Sequence, residues 1–298
     1  MTDYEIWHDE NKGKSSVNEY WHGILFVPLN KKKDIIELLK KIRDEHKCSY
    51  DNNNLKFSGC LKKSQRGRII ANNLSLFSHL LITKQTGIST KIYNRSGRDS
   101  FRKKFSHFLE INDLFGCKFA LLQIPDNHKN FDKYPMTYPE RVETTFRFVF
   151  MGSMHLFFSA ANPINIKEFC FDGHEHHGNG ISLNRITKGE LRDYCNIDKT
   201  CYIDDRQLHD RDINSAIMML FVDNIIGAWV AKIQNWENSE KVSYPINGIY
   251  ERLRDNGIIR NKNSRWYNSI SVSKLEIIDG EIKFPNFFQN CLQQSLFS

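Results

Sequence analysis

DINSAIMMLFVDNIIGAWVAKI, residues 212–233, reads as a helix that is apolar almost all the way round, which marks a buried element rather than an amphipathic surface one. One carboxylate, Asp223, stands in its middle. A buried Asp without a partner is costly, so it takes up a proton, finds a cation or a backbone donor, or holds a metal. Gly227 follows one turn later on the same face, and Ala216 and Met219 continue that face towards the N-terminus. A glycine inside a helix costs about 1 kcal/mol relative to alanine. The expected reason for it here is room beside the carboxylate.

The chain around this helix has 298 residues, enough for one large domain or two modest ones with a sizeable core. A content of 40% hydrophobic and 26% charged residues is that of a globular protein, and 21 Phe point to a core rich in aromatics. The net charge of +7 favours an anionic partner, nucleic acid first among them. Cys48, Cys60, Cys117, Cys170, Cys195, Cys201 and Cys291 form no CxxC pair and no zinc-finger spacing, a pattern that fits reduced thiols in a cytoplasm. MTDYEIWHDE lacks the basic-then-apolar order of a signal peptide. The longest apolar runs, 148–161 and 216–222, fall short of the ~20 residues of a membrane helix. The expectation is a soluble cytoplasmic protein that does not enter a membrane.

Residues 4–8 and 20–29 (YWHGILFVPL) are strand-like runs joined by a polar loop, a hairpin that puts Asp9 at the end of its first strand. Ile35, Leu38, Leu39 and Ile42 set a helical period over 34–46. Helices are expected over 68–83, 101–115 and 140–161, the last with Pro139 in its first turn. Residues 55–61 and 90–93 read as short strands or loops, and 119–124 as a short apolar run. A strand at 166–171 ends in Asp172-Gly173. A short helix at 188–195 and a brief strand at 200–203, ending at Asp204-Asp205, lead to the buried helix. LEIIDGEIKF, 275–284, places Asp-Gly between two alternating runs, a hairpin signal. Hairpin strands followed by parallel crossovers make an α/β fold, a mixed sheet with flanking helices. On this reading 1–235 form the main domain, with a basic helical insertion at about 62–135, and 236–298 a C-terminal extension carrying the small β-hairpin.

Asp9, Asp172 and the Asp204-Asp205 pair each stand where an apolar strand gives out into a polar loop. Sites in open α/β sheets form beyond strand ends. With Asp9 and Asp172 on adjacent strands, Asp223 completes a carboxylate cluster that needs a cation to stay ionised. Hard oxygen ligands suit Mg²⁺ or Mn²⁺, and two such ions ~3.5–4 Å apart support phosphodiester cleavage. The plainer reading of each Asp alone is a turn former.

IWHDENKGK (6–14), YWHGILFVP (20–28) and MLFVDNIIGA (219–228) together resemble a bacterial and phage family catalogued as domain of unknown function 3800. Its members open with a strand carrying Asp-Glu or Asp-Ser, continue with a strand containing Gly and Pro, and carry an apolar helix of the type LQLADLIAGA near the C-terminus. The likeness covers roughly the first sixty residues and 172–232, with short motifs in the expected order. It implies a ribonuclease H-like fold and a two-metal nuclease site, with Asp9 as first-strand ligand, Asp172 as central-strand ligand and Asp223 as helix ligand. The family often carries a Glu-hydrophobic-Lys step after its first helix, where this chain has Asn54-Leu55-Lys56. The second acidic ligand is then sought in Glu10, Asp205 or Glu143. Glu143 also stands four residues before Arg147, the spacing of a helical ion pair.

DGHEHHGNG, 172–180, follows the proposed strand ligand directly. Its His176 and His177 suit proton transfer or leaving-group assistance at the edge of the site. The HExxH pattern of a zinc helix is missing, and a locally hydrogen-bonded polar loop is the plainer alternative. Lys62, Lys63, Arg66 and Arg68, then Arg95, Arg98, Arg102, Lys103 and Lys104, form two basic clusters, with Tyr93 and Phe101 interleaved in the second. Such clusters hold phosphates and stack unpaired bases, or simply stay solvated. No GxSxG, P-loop or GxGxxG is present.

The expected function is a divalent-metal-dependent nuclease that hydrolyses RNA or DNA with Mg²⁺ or Mn²⁺. The alternative is a catalytically inactive nucleic-acid-binding or protein-interaction module on the same fold, which Asn54 supports. The sequence does not decide between a homo-oligomer and a partner protein. A place in antiviral defence is compatible with such a family but written in no residue.

Overall fold

The computed structural model describes residues 1–11, 19–47, 55, 57, 65–82, 100–125, 138–172, 187–203, 213–237, 240–256, 268–278 and 281–288. Its centre is a mixed seven-stranded sheet. Strands β1 (Thr2–Asn11) and β2 (Glu19–Pro28) are antiparallel neighbours, and β3 (Lys118–Pro125) is antiparallel to β2. On the other side of β1, β4 (Ile164–Asp172) runs parallel to it. Strands β5 (Cys195–Ile197) and β6 (Thr200–Ile203) pair in parallel with successive stretches of β4. Strand β7 (Ile270–Lys274) lies parallel to β3 at the far edge. The first strand is therefore central, with Tyr4 and Ile6 buried on one face and Trp7 on the other.

Helices cover both faces. Strand β2 passes straight into α1 (Leu29–Glu45) at Pro28, a residue that cannot serve a ladder bond but sits well before a helix. Then follow α2 (Gln65–Leu80), α3 (Ser100–Ile111), α4 (Tyr138–Phe157), α5 (Ile213–Ile233), α6 (Glu240–Ser243), a 3₁₀ turn at Tyr244–Ile246, and α7 (Asn247–Asn256). Strand alternation sorts the core into two layers. Trp7, Leu25, Val27 and Cys170 face the layer of α1, α2 and α5. Tyr4, Ile6, Ile24, Phe26, Phe169 and Phe171 face α4.

Helix α5 is longer than the apolar run 216–222 suggests. Its 21 residues are long and apolar enough to cross a membrane, yet 83% of its most apolar 18-residue window is buried inside the protein. Its greasy surface is used by the core on all sides. The helix lies so close over the hairpin that a Cβ on Gly23 would run into Cγ1 and Cδ1 of Ile226. Gly23→Ala is therefore expected to destabilise by about 1–3 kcal/mol, as overpacking does, measured by urea unfolding.

Several short elements differ from the sequence reading. The expected helix at 188–195 is helical only at 187–188 and then turns into β5. Strand β7 and helices α6 and α7 carry no signal that the sequence reading used. The Asp-Gly hairpin is present as β8 (Glu276–Ile278) paired antiparallel with β9 (Glu281–Lys283).

Candidate functional site

Asp9 pairs across β1 and β2 with Gly23, near the end of β1. The last paired position between β1 and β4 is His8 with Phe171. Asp172 therefore comes one step further along, beside Asp9 and at the same end of the sheet. Trp7 and Cys170, two residues before each, lie in the layer beneath α5. Asp9 and Asp172 thus share that face. Helix α5 packs on it against β1 and β2, with Ile226 on Gly23 and Asp223 about one turn earlier. Asp9 of a hairpin strand, Asp172 of its parallel neighbour and Asp223 of the buried helix thus lie towards one sheet end, near enough for the charges of Asp172 and Asp223 to act on Asp9.

Asp9 and Asp172 are buried, and Asp223 is half-buried. Burial first, and then the charges of Asp223, Glu10 and Asp172, push the Asp9 carboxyl well above the usual carboxylate range. The Glu10 main-chain N–H, which donates to Asp9 Oδ1 at 2.8 Å, works in the other direction. Burial and like charges favour the protonated form of such a group, and a bound cation would favour the ionised one. Glu10 is buried too, but strand alternation turns its side chain towards the α4 face with His8, away from Asp223.

Asp223 is held from the segment after α1, at residue 57. The Phe57 N–H donates to its Oδ2 at 2.8 Å. The space beside Gly227 is not open next to the carboxylate as expected. It is filled by Phe57, whose Cβ would stand 2.6 Å from a Cβ on residue 227. The neighbouring Asn224, almost fully buried, donates from Nδ2 to the Leu55 carbonyl at 2.7 Å and accepts from Asn73 Nδ2 at 3.1 Å.

The donors are all oxygen and their charge calls for a cation, which fits a hard divalent ion. Their spacing is more open. Among the described residues, no three His, Cys, Asp or Glu side chains stand close enough together to hold a metal ion. His176, His177 and Asp205 lie outside the described residues, as do Asn54, Lys62, Lys63, Arg95 and Arg98. Glu143 belongs to α4, the helix of the opposite sheet face, and its side chain is likewise outside them.

Of the basic residues that are described, Arg68 and Lys104 lie at the C-terminal end of α1, and Arg102 lies near His79 of α2. Arg66 and Arg68 open α2, and the Arg68 charge together with burial holds the His46 imidazole below its usual range. Lys104 of α3 pairs with Glu45, while Lys103 is exposed and Arg102 half-buried. His46 meets Asn72 of α2 at 3.0 Å, and the next residue, Asn73, reaches Asn224 beside Asp223. The basic surface is thus joined to the carboxylates through one helix.

On the other face of the sheet, His8 Nε2 lies 3.0 Å from His22 Nδ1, His22 Nε2 lies 2.8 Å from Thr145 Oγ1, and Thr145 Oγ1 lies 3.0 Å from the Tyr20 hydroxyl. All four side chains are buried. This relay locks α4 to the hairpin directly behind Asp9. Polar residues inside otherwise apolar strand runs, His8 and His22, were the signal for it. Thr145→Val removes both hydroxyl contacts at nearly constant volume. It is expected to cost about 1–3 kcal/mol, read as a shift of the urea midpoint with unchanged slope.

Compared with protein-family models, with curated proteins and with solved structures, the chain matches none.

Proposed function

We propose that this protein is a divalent-metal-dependent phosphodiesterase acting on nucleic acid, with a ribonuclease H-like arrangement of its mixed sheet. The observation that carries the reading is the placement of Asp9, Asp172 and Asp223 on one face towards one end of the sheet, two of them buried and the charges of Asp172 and Asp223 both acting on Asp9. The central first strand, flanked by an antiparallel hairpin partner and a parallel crossover partner, is compatible with that fold. Asp9, Asp172 and Asp223 would hold the metal. When bound, Mg²⁺ or Mn²⁺ supplies an activated water and charge neutralisation at the phosphorus. The chain's own contribution is to desolvate the carboxylates, fix Asp223 through Phe57, and bring phosphates in along Arg66, Arg68, Arg102, Lys103 and Lys104.

The basic surface makes a prediction of its own. The double substitution Arg68→Ala, Lys103→Ala is expected to weaken binding of a single-stranded oligonucleotide and to reduce the salt slope by roughly 1–2. Fluorescence anisotropy across a salt series measures it.

One observation favours a second reading, a nucleic-acid-binding module without turnover: the open spacing of the carboxylates among the described residues. Metal-dependent cleavage that Asp172→Asn abolishes selects the enzyme. Salt-sensitive binding that survives Asp172→Asn, with no cleavage by the wild type, selects the module.

A further inference from the structure

Helix α4 packs on β2 and β3, and the edge strand β7 lies beyond it. On the α4 face β7 presents Ser271 and Ser273, because Val272 between them points into the α5 layer. Ser271 pairs with Ala120 of β3 and Ser273 with Leu122. Three of these four side chains are small, and a cleft of about 260 Å³ is left between α4, the two strands and the chain from Phe284 to Asn286. Gly152 of α4 opens it further. A glycine inside a helix costs about 1 kcal/mol, and no close approach requires this one, since a Cβ there would meet no atom within 4 Å. Phe148 and Phe284 wall the cleft, their ring centroids 5.3 Å apart.

Asn286 gives the cleft a fixed polar group. The residue is 7% exposed and belongs to the lining. Its Oδ1 accepts from the Phe288 N–H at 2.9 Å, which sets the orientation of the amide. The Nδ2 at the other end meets no acceptor among the described residues, and its open side is the cleft. A donor so buried and pre-oriented favours a ligand that brings an acceptor to it. Ser153, also buried, donates to the Phe150 carbonyl at 2.8 Å, so its oxygen is left to accept. Among the described residues that line the cleft there is no Asp, Glu, Lys or Arg, and His155 stands at the rim. In a chain of net charge +7 this is a neutral spot, where a charged ligand would give up hydration without an ion partner. The volume lies below the roughly 300–1,000 Å³ of drug-sized pockets, and the aromatic walls favour a flat ring.

We propose that the cleft between α4, β3 and β7 binds a small uncharged nitrogen heterocycle of nucleobase size. The ring lies against Phe148 and Phe284, sets a carbonyl or ring-nitrogen acceptor on Asn286 Nδ2, and bonds further to Ser271 and Ser273. The site is on the opposite side of the sheet from Asp9, Asp172 and Asp223, and the inference does not rest on the nuclease reading. A free base and the base of a nucleoside present the same edge, so both sources share this chemistry.

The test uses the full chain, with uracil, cytosine, adenine and hypoxanthine as probes, together with their nucleosides and nucleoside 5′-monophosphates. Binding is read by calorimetry and by the Asn286 side-chain amide in ¹⁵N spectra. Gly152→Leu fills the cleft from α4, replaces a poor helix former, and is expected to melt no lower than the wild type. Ser271→Ala with Ser273→Ala removes both hydroxyls at nearly constant volume. The expected result is saturable binding of at least one neutral base by the wild type, with the Asn286 amide shifted. Binding should be roughly tenfold weaker in the double serine variant and lost in Gly152→Leu. Tighter binding of the nucleoside assigns the source to nucleosides, tighter binding of the base to free bases, and either supports the site. No binding of any neutral probe at millimolar concentration overturns the proposal. So does binding that Gly152→Leu and the double serine variant leave unchanged, or that favours the monophosphate over the nucleoside.

Discussion

Replacing Asp9 by Asn is expected to raise the melting temperature of the metal-free protein at neutral pH, and to remove most of the stabilisation that Mg²⁺ or Mn²⁺ gives the wild type. Burial and the neighbouring Asp223, Glu10 and Asp172 raise the Asp9 carboxyl in the folded state well above its ordinary value. Below an unfolded-chain pKa of about 3.9, Asp9 is protonated in both states and has no effect on stability. As pH rises from there towards the folded-state value, the unfolded chain gives up its proton and the folded chain keeps it. Stability falls through that window and levels off above it. The wild type and Asp9→Asn should therefore melt alike near pH 4 and diverge towards neutrality, with the variant the more stable.

A divalent cation reverses this, because it binds the ionised group only in the folded state. An ion present at a hundred times its dissociation constant contributes about 2.7 kcal/mol, most of which the Asn variant should lack. Thermal melts from pH 4 to 8, with chelator and with Mg²⁺, measure both effects. Parallel pH profiles for the two proteins would contradict the carboxylate cluster.

Asp172→Asn is expected to have the largest effect on chemistry. Asp172 comes from β4 and Asp9 from β1, so the two carboxylates approach the site from adjacent strands and neither replaces the other. Loss of a metal ligand whose charge is needed in the transition state is expected to lower cleavage on the order of a thousandfold or more. Oligonucleotide affinity should stay close to that of the wild type, since the proposal assigns the phosphates to α2 and α3. Substitution of Arg68 and Lys103 should show the opposite division, with weaker binding at low substrate and nearly full turnover at saturation. A steady-state comparison of kcat and KM for the two sets separates the roles.

The elements that organise this site carry their signal locally. The apolar runs on either side of Asp9 and Gly23, the strand ending at Asp172 and the helix around Asp223 are each long and one-sided in composition, so period and length suffice to place them. The expected adjacency of Asp9 and Asp172 follows from a parallel crossover, which the order of elements implies. Strand β5 is three residues long and β7 is five, and both depend on neighbours for their pairing. Helix α6 packs against α2 and α5, and α7 meets α5 through Tyr250 on Trp229.

The most consequential misreading concerned Gly227. Its position one turn after Asp223 was legible, but the room expected beside the carboxylate is taken by Phe57, from a stretch 166 positions away from Asp223 in the chain. No local pattern in Asn54-Leu55-Lys56 announces that contact. His8 and His22 stand out locally as polar residues in apolar strand runs, but their partner Thr145 does not, because it joins them from helix α4.

The central claim is tested most directly by incubating end-labelled single-stranded and duplex RNA and DNA with the wild type and with Asp223→Asn, in Mn²⁺, in Mg²⁺ and in chelator. The account predicts metal-dependent cleavage of at least one substrate by the wild type, and its loss on the order of a thousandfold in an Asp223→Asn protein that still binds oligonucleotide. Equal cleavage by both proteins, or cleavage that persists in chelator, would contradict it.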